Sequence, residues 1–391
     1  MKLAIRLAYR NLIGAGLRTW LNVVVLSFSF VAIIWMKGLM TGWDHQAKTD
    51  MKNWEIGGGQ YWHKDYDPYD PLTLFDSHEP IPEAVKNEIA MGDMEPFLIV
   101  QGTIYPQGRM QSIMMKGVNP KQTLFKLPTH KLDTATEAIP AIIGMMMAKG
   151  SRLQVGDYVT MRWRDVNGTF DADEILITAI FSSSVPAAEA GQIYIDLAKL
   201  QSMMLLQGEA TILTFRDNQK ERPTLAGWTL RTHKDLTKAV DEMIKTKTMG
   251  QSIFYFVLLL LAMLAIFDTQ VLSIFRRQKE IGTYIALGYT RQQVVGLFTV
   301  EGSMHAVLAA LLSAAYGLPF LAWQAKVGWT MPLDTSQFGM AIAQTLYPVY
   351  SAGLVISTVL IVTITTAIVS YWPSRRIAKM NPTEALRGKL Q

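Results

Sequence analysis

Asp268, Glu301 and His305 are the residues whose setting most demands chemistry, because each lies inside a long apolar run. An ionised side chain left facing hydrocarbon costs about 2.5–3.5 kcal/mol, so each should face protein or water. Glu301 and His305 stand four residues apart and would share one face of a helix. Such a pair could relay protons, but hydrogen bonding within a helix bundle is the simpler role. Asp268 would pair with a polar group on a neighbouring span. The six histidines (His45, His63, His78, His130, His233, His305) show neither His-x-x-x-His nor His-Glu-x-x-His spacing, so no metal site is expected. There is no cysteine and no Gly-x-Ser-x-Gly elbow. Gly144 to Ser151 has a glycine, four residues, then Lys-Gly-Ser, the wrong order for a phosphate loop. The expectation is therefore a chain without catalytic residues, metal or cofactor of its own. Asp165, Asp171, Asp173 and Glu174 flank a hairpin turn and read as a solvated edge rather than a calcium site. Among the 22 methionines, Met145, Met146, Met147, Met203 and Met204 could adapt to varied apolar ligands, although most methionines should be core.

The elements that must position these residues are membrane spans. Apolar blocks run from Trp20 to Leu39, Ile253 to Phe275, Leu297 to about Trp323, and Tyr350 to Trp372. Each approaches or exceeds the roughly 20 residues that a spanning helix needs. Trp and Tyr residues gather near the block ends, as at a membrane interface. Residues 1–18, 276–291 and 374–391 are basic, whereas 43–250 hold 22 Lys plus Arg against 27 Asp plus Glu. The positive-inside rule then places both termini and the 276–291 link in the cytoplasm and the large segment outside. The overall charge of +5 reflects that topology, so no nucleic-acid partner is inferred. The first block is longer than a signal-peptide core and lacks a small-x-small cleavage site, so an uncleaved anchor is expected.

The link itself carries the strongest signal. Arg276, Arg277, Lys279 and Glu280 are followed by Ile281, Gly282, Tyr284, Ile285, Ala286, Leu287 and Gly288. Ile281, Tyr284 and Ile285 recur at helical spacing and give a short helix one apolar face. Gly288 supplies a stop, and Thr290 with Gln293 forms a capping box for the next helix. The Glu-Ile-Gly and Ala-Leu-Gly of this stretch resemble the coupling helix of ABC-transporter permeases of the macrolide-exporter, lipoprotein-releasing and FtsX-type superfamily. Further resemblances lie in Tyr9-Arg10-Asn11-Leu12, Lys116-Gly117-Val118-Asn119-Pro120, Ile142-Ile143-Gly144, Leu153-Gln154-Val155-Gly156-Asp157, Gln192 to Leu197, and Asn381 to Arg387.

The resemblance implies a fold class: a membrane protein with four transmembrane α-helices and a large α+β periplasmic domain between the first and second. A short cytoplasmic coupling helix would lie between the second and third. The expected segments are an amphipathic helix over 1–18, spans over 19–41, 251–275, 292–325 and 347–372, and a soluble domain over 42–250. The link takes 276–291, a periplasmic loop 326–346 and a cytoplasmic tail 373–391. It also implies a cytoplasmic ABC ATPase dimer that holds the ATP and magnesium, a second permease subunit, identical or paralogous, and an inner-membrane location among lipids. Release of lipoproteins or other amphiphiles is the first expectation for function, with a periplasmic carrier or adaptor as a further partner. Drug or peptide efflux and an FtsX-type scaffold regulating a cell-wall hydrolase are the alternatives. One departure is visible: Val166-Asn167-Gly168-Thr169 reads as a tight type I′ turn where the lipoprotein-releasing subunit that recruits a carrier has an extended hook.

Within 42–250, Trp54 to Pro82 reads as irregular, with a helix from about Pro82 to Met91. Phe97–Tyr105, Met110–Val118, Asp157–Trp163, Ile175–Phe181 and Ala210–Phe215 read as strands. Ile139–Leu153 reads as a strand edge and a short helix, and Leu197–Leu206 as a helix.

Overall fold

Alternating apolar and polar residues, seven in a row at Tyr158–Arg164, bury every second side chain and so commit that strand to a two-faced sheet. The computed structural model describes residues 17–216, 222–330 and 345–379. Two compact units are present, one built mainly from Asp44–Met243 and the other from the helical segments before and after it. The sequence expectations for 1–16, 331–344 and 380–391 lie outside the described residues, including the Tyr9–Leu12 and Asn381–Arg387 resemblances.

In chain order, helix α1 (Leu17–Met51) closes with a π-helical turn (Lys52–Ile56) and is followed by β1 (Gly59–His63) and a 3-10 turn (Pro71–Phe75). Next come β2 (Glu79–Pro80), α2 (Glu83–Ala90), β3 (Met94–Ile104), β4 (Gln111–Val118), β5 (Ile139–Gly144) and α3 (Met145–Ser151). The soluble unit continues with β6 (Tyr158–Arg164), β7 (Phe170–Phe181), α4 (Pro186–Glu189), β8 (Gln192–Asp196) and α5 (Leu197–Met204). Its last strands are β9 (Glu209–Ala210), β10 (Ile212–Phe215) and β11 (Trp228–Thr232). Helices α6 (His233–Arg276), α7 (Gln278–Ala286), α8 (Arg291–Val327) and α9 (Ala352–Ser374) complete the chain.

Strands β3, β4, β8, β5, β7 and β6 pair in that order, and β6 returns to β3 through Gly102–Trp163, Thr103–Arg162 and Ile104–Met161. The ring closes into a small barrel whose interior is filled by Leu98, Val100, Met115, Ile143, Met161 and Ile177. The expected α+β domain is thus organised around a closed sheet. The first residues of β3, Met94–Phe97, pair instead with β10, and β1 and β11 extend the sheet from there. β1 lies inside the segment expected to be irregular, a correction to the sequence reading. Its Gly58-Gly59 start and mixed Gln-Tyr-Trp-His run mask a strand paired on both edges.

The outer face of the barrel is aromatic. Phe97, Phe181 and Tyr194 are buried there, and Trp54 stacks on Phe181 with centroids 5.6 Å apart and rings 12° from parallel. Lys116 is buried with its amine 5.0 Å from the Phe97 ring centroid. Burial pushes the Lys116 amine down and the Glu55 carboxyl up, each opposed by the other's charge.

The Asn167–Gly168 turn is also corrected. Asp165 N–H donates to Thr169 O at 2.9 Å and Gly168 N–H donates to Asp165 O at 2.9 Å. Gly168 takes φ +83°, while Asn167 is not left-handed. This is a type I turn followed by a glycine bulge, so β6 and β7 still meet in a short hairpin.

The second unit is inside-out relative to a water-soluble bundle. Among its described residues Asn22, Gln270, Glu301, His305, Thr366 and Ser370 are buried, whereas Phe28, Phe256, Leu311, Ile364 and Trp372 are exposed. Among the described residues, four helices are long and apolar enough to cross a membrane. The helices run beyond the apolar blocks, α1 to Met51 and α6 from His233. Val23, Leu26, Phe30, Met263, Ile266 and Ala306 form the apolar seam between them.

One buried carboxyl in the soluble unit makes stability pH-dependent. Burial pushes Glu95 up to about 7 from 4.5, against a hydrogen bond from Asn119 and the charge of Arg216. Because the folded-state value is raised, its stabilising effect is complete below pH 4.5 and lost as pH rises through about 7. Over that window thermal unfolding of the purified chain should show a loss of roughly 2–3 kcal/mol, and Glu95→Gln should flatten the profile. An unchanged slope in the variant would remove Glu95 as its source.

Candidate functional site

Helix α6 stops at Arg276 because Arg277 leaves helical geometry, with φ −104° and ψ 23°. Its N–H still donates to Ser273 O at 3.0 Å, and Ile281 N–H donates to Arg277 O at 3.0 Å. The chain thus bends without leaving these backbone groups unpaired, and α7 starts at once. At its far end Leu287 N–H donates to Thr283 O at 3.0 Å, and Gly288 takes φ +96°, a left-handed turn that glycine adopts without strain. Thr290 then caps α8: its hydroxyl accepts from Gln293 N–H at 3.3 Å, and the Gln293 side chain accepts from Thr290 N–H at 2.9 Å.

The bend is fixed by Arg277. Its Nη1 donates to both carboxylate oxygens of Glu301, at 2.7 and 2.9 Å, and its Nε donates to Glu280 at 2.7 Å. The guanidinium carbon lies 4.8 Å from the Phe298 ring centroid. Glu301 is 9% exposed and Arg277 17%, so the pair is largely removed from water. Glu301 pairs with the link, whereas the sequence suggested a bond to another span. One carboxylate on α8 therefore holds the junction of α6 and α7.

The apolar face expected for the short helix is present, but it is spent inside the chain. Ile281 is fully buried, Gly282 is buried, and Tyr284 and Ile285 are partly buried against Ile274, Val294, Val295, Phe298 and Ile377. The outward face carries Arg276, Lys279, Glu280, Ala286, Leu287 and Gly288. Leu287 is 72% exposed, unusually open for a leucine beside a packed helix. The predicted set therefore divides into an anchoring face and a presenting face. The presenting face thus carries an exposed leucine among charged side chains.

His305 and Asp268 stand apart from this platform. His305 is buried, with Nδ1 3.0 Å from the Gly302 carbonyl of its own helix. Asp268 is exposed on α6, and no ion pair to it occurs among the described residues. No group of three or more His, Cys, Asp or Glu side chains able to hold a metal occurs among the described residues. Sequence reasoning missed Arg277 as the clamp, and it missed Gln270 and Ser370. A Cβ on Gly302 would lie 2.3 Å from Ser370 Oγ and 2.9 Å from Gln270 Nε2, so the glycine permits close approach of α6, α8 and α9. The Arg277-x-x-Glu280 spacing was a local cue, but no sequence signal joins Arg277 to Glu301.

Residues 252–382 match the family described as FtsX-like permease C-terminal. A macrolide export ATP-binding/permease protein of Sodalis glossinidius is 26% identical over 184 residues, 44% of this chain and 26% of the relative. Similar proteins of Yersinia pestis and Burkholderia lata are each 26% identical over 151 residues, 39% of this chain and 20% of the relative. The chain thus spans about a quarter of the length of these relatives or less.

Breaking the clamp should be costly. Arg277→Ala or Glu301→Ala alone should each lower stability by about 1–3 kcal/mol, because each removes the bidentate partner of a largely shielded charge. The double variant should lose less than the sum of the two. Thermal unfolding of the four proteins in one detergent measures the coupling, and strict additivity would deny the clamp its role.

Proposed function

We propose that this chain is a transport permease driven by an ATPase partner, within the ABC permease superfamily to which its FtsX-like and macrolide-export matches point. The observation that supports this most directly is the α7 platform. Its apolar side is consumed in packing against α8, and Glu301 clamps its root, so movement pressed on the outward face would pass directly into α6 and α8. The exposed Leu287 with Lys279 and Arg276 is the surface offered to the ATPase, which supplies the ATP and magnesium. A ligand-driven shift of this kind requires contacts that differ between two states of the ATPase.

In this reading the 276–291 link and both termini lie in the cytoplasm, and the barrel-containing unit lies on the far side of the inner membrane. A second permease subunit completes the transporter. The substrate is a lipoprotein or another amphiphile drawn from the outer leaflet of the inner membrane. The four apolar helices and the charge asymmetry of the segments between them support that arrangement. Efflux of drugs, as in the names of the relatives, is the alternative substrate class.

Leu287→Asp is the clean test of docking, because Leu287 is exposed and touches none of the clamp. Glu280→Arg acts on docking and clamp together, since Glu280 also binds Arg277. When the chain is purified with its co-encoded ATPase in lipid, Leu287→Asp should reduce co-purification and stimulated hydrolysis by at least tenfold. Its unfolding temperature should stay unchanged. Full hydrolysis by the variant would overturn the assignment of this face.

A further inference from the structure

A second site lies in the soluble unit, where β6 closes the barrel against β3. A cavity of about 370 Å³ opens there, within the size range of small-molecule sites. Its inner wall is apolar, formed by Leu74, Val100, Trp163, Met204 and Leu206. Its lip carries large apolar side chains that folding leaves in solvent: Leu72 at 84%, Met110 at 76% and Phe170 at 61% exposed. Burying such groups is the ordinary outcome of folding, and together they mark a binding surface.

Charge at the same cleft is specific. Arg162 and Arg164 line it, and neither forms an ion pair among the described residues. Both guanidiniums are held by aromatic rings. Arg162 lies 4.2 Å from the Phe170 centroid, while Arg164 lies 6.0 Å from Phe170 and 5.4 Å from Phe75. Arg164 Nε also donates to Gly168 O at 3.0 Å, fixing that side chain over the hairpin. The rings lie within cation–π distance of both guanidiniums, and the guanidinium N–H groups other than Arg164 Nε can donate to a planar or tetrahedral anion. The nearby hairpin carboxylates do not neutralise them. Asp171 and Asp173, in register with Trp163 and Met161, are not among the side chains that line the cleft. Glu174 shares the arginine face but lies in register with Thr160, without an ion pair to either arginine.

We propose that this cleft binds an anionic amphiphile, with its aliphatic part in the apolar cavity and its phosphate or carboxylate on Arg162 and Arg164. Apolar volume alone would accept any hydrocarbon, and two surface arginines alone would accept any anion. Their juxtaposition selects molecules that contain both parts. The site concerns what the soluble unit holds and does not depend on the ATPase-driven reading. Met204 and Met147, two of the methionines singled out in the sequence, both belong to the buried core of the barrel, and Met204 also lines the cavity.

The test uses the full chain in nanodiscs, with octyl phosphate titrated calorimetrically and empty nanodiscs subtracted. Saturable binding is expected, weakened at least tenfold in Arg162→Glu/Arg164→Glu and less in Arg162→Lys/Arg164→Lys. Phe170→Ala should weaken it severalfold by releasing the stacked guanidiniums. Unfolding temperatures of the variants establish that these exposed substitutions leave the fold intact. Inorganic phosphate binding as tightly as octyl phosphate would reduce the site to a plain anion site and overturn the proposal. Equal binding of octyl glucoside, or no effect of the double glutamate variant, would overturn it as well.

Discussion

A carboxylate on a membrane helix must be paired, solvated or protonated, and much of the helical unit follows from how Glu301 meets that demand. Its partner, Arg277, is the residue at which α6 ends, so satisfying the charge also sets where the chain turns. The turn brings Ile281 under Phe298 and Ile377, and this packing orients the outward face of α7. A buried ion pair adds little net stability compared with an apolar replacement, but it fixes geometry, because few other arrangements satisfy both charges. Where two long helices meet a short one, the pair sets the angle of the bend more than it adds stability.

The soluble unit solves a different problem, that of unpaired sheet edges. Closing six strands into a ring removes the edges that would otherwise be open to aggregation. Strand β3 makes this possible by pairing differently along its length, with β10 at its start and β6 at its end. The closure seam at Gly102 and Trp163 is also where the arginine-lined cleft opens, so the strands that seal the barrel also line an apolar hollow.

Much of this architecture was legible because periodicity is a local property. Alternation in Tyr158–Arg164 and the continuous apolar runs of α6, α8 and α9 reveal element type directly. The helical recurrence of Ile281, Tyr284 and Ile285 likewise revealed a face, but periodicity cannot say what covers a face. The clamp escaped notice because its partners are 24 residues apart and only the bend at Arg277 brings them together. Barrel closure was hidden for the same reason, since the β3–β6 pairing depends on register between distant strands. The Asn167–Gly168 pair misled through a true preference: the dipeptide favours a type I′ turn, but the Asp165 side chain accepts from Thr169 N–H at 2.8 Å and favours the wider loop.

Strand β1 sets an order of events during synthesis. Its two neighbours in the sheet are β10 and β11, and Gln60 lies 154 positions before its contact with Thr214. As the chain is made from its N-terminus, β1 emerges with both edges open and stays so while most of the barrel is produced. The β3–β4 and β6–β7 hairpins can form locally in that interval, but β1 can be enclosed only after Trp228–Thr232 arrives. The last strand of the sheet therefore ends at Thr232, and α6 begins at the next residue, His233.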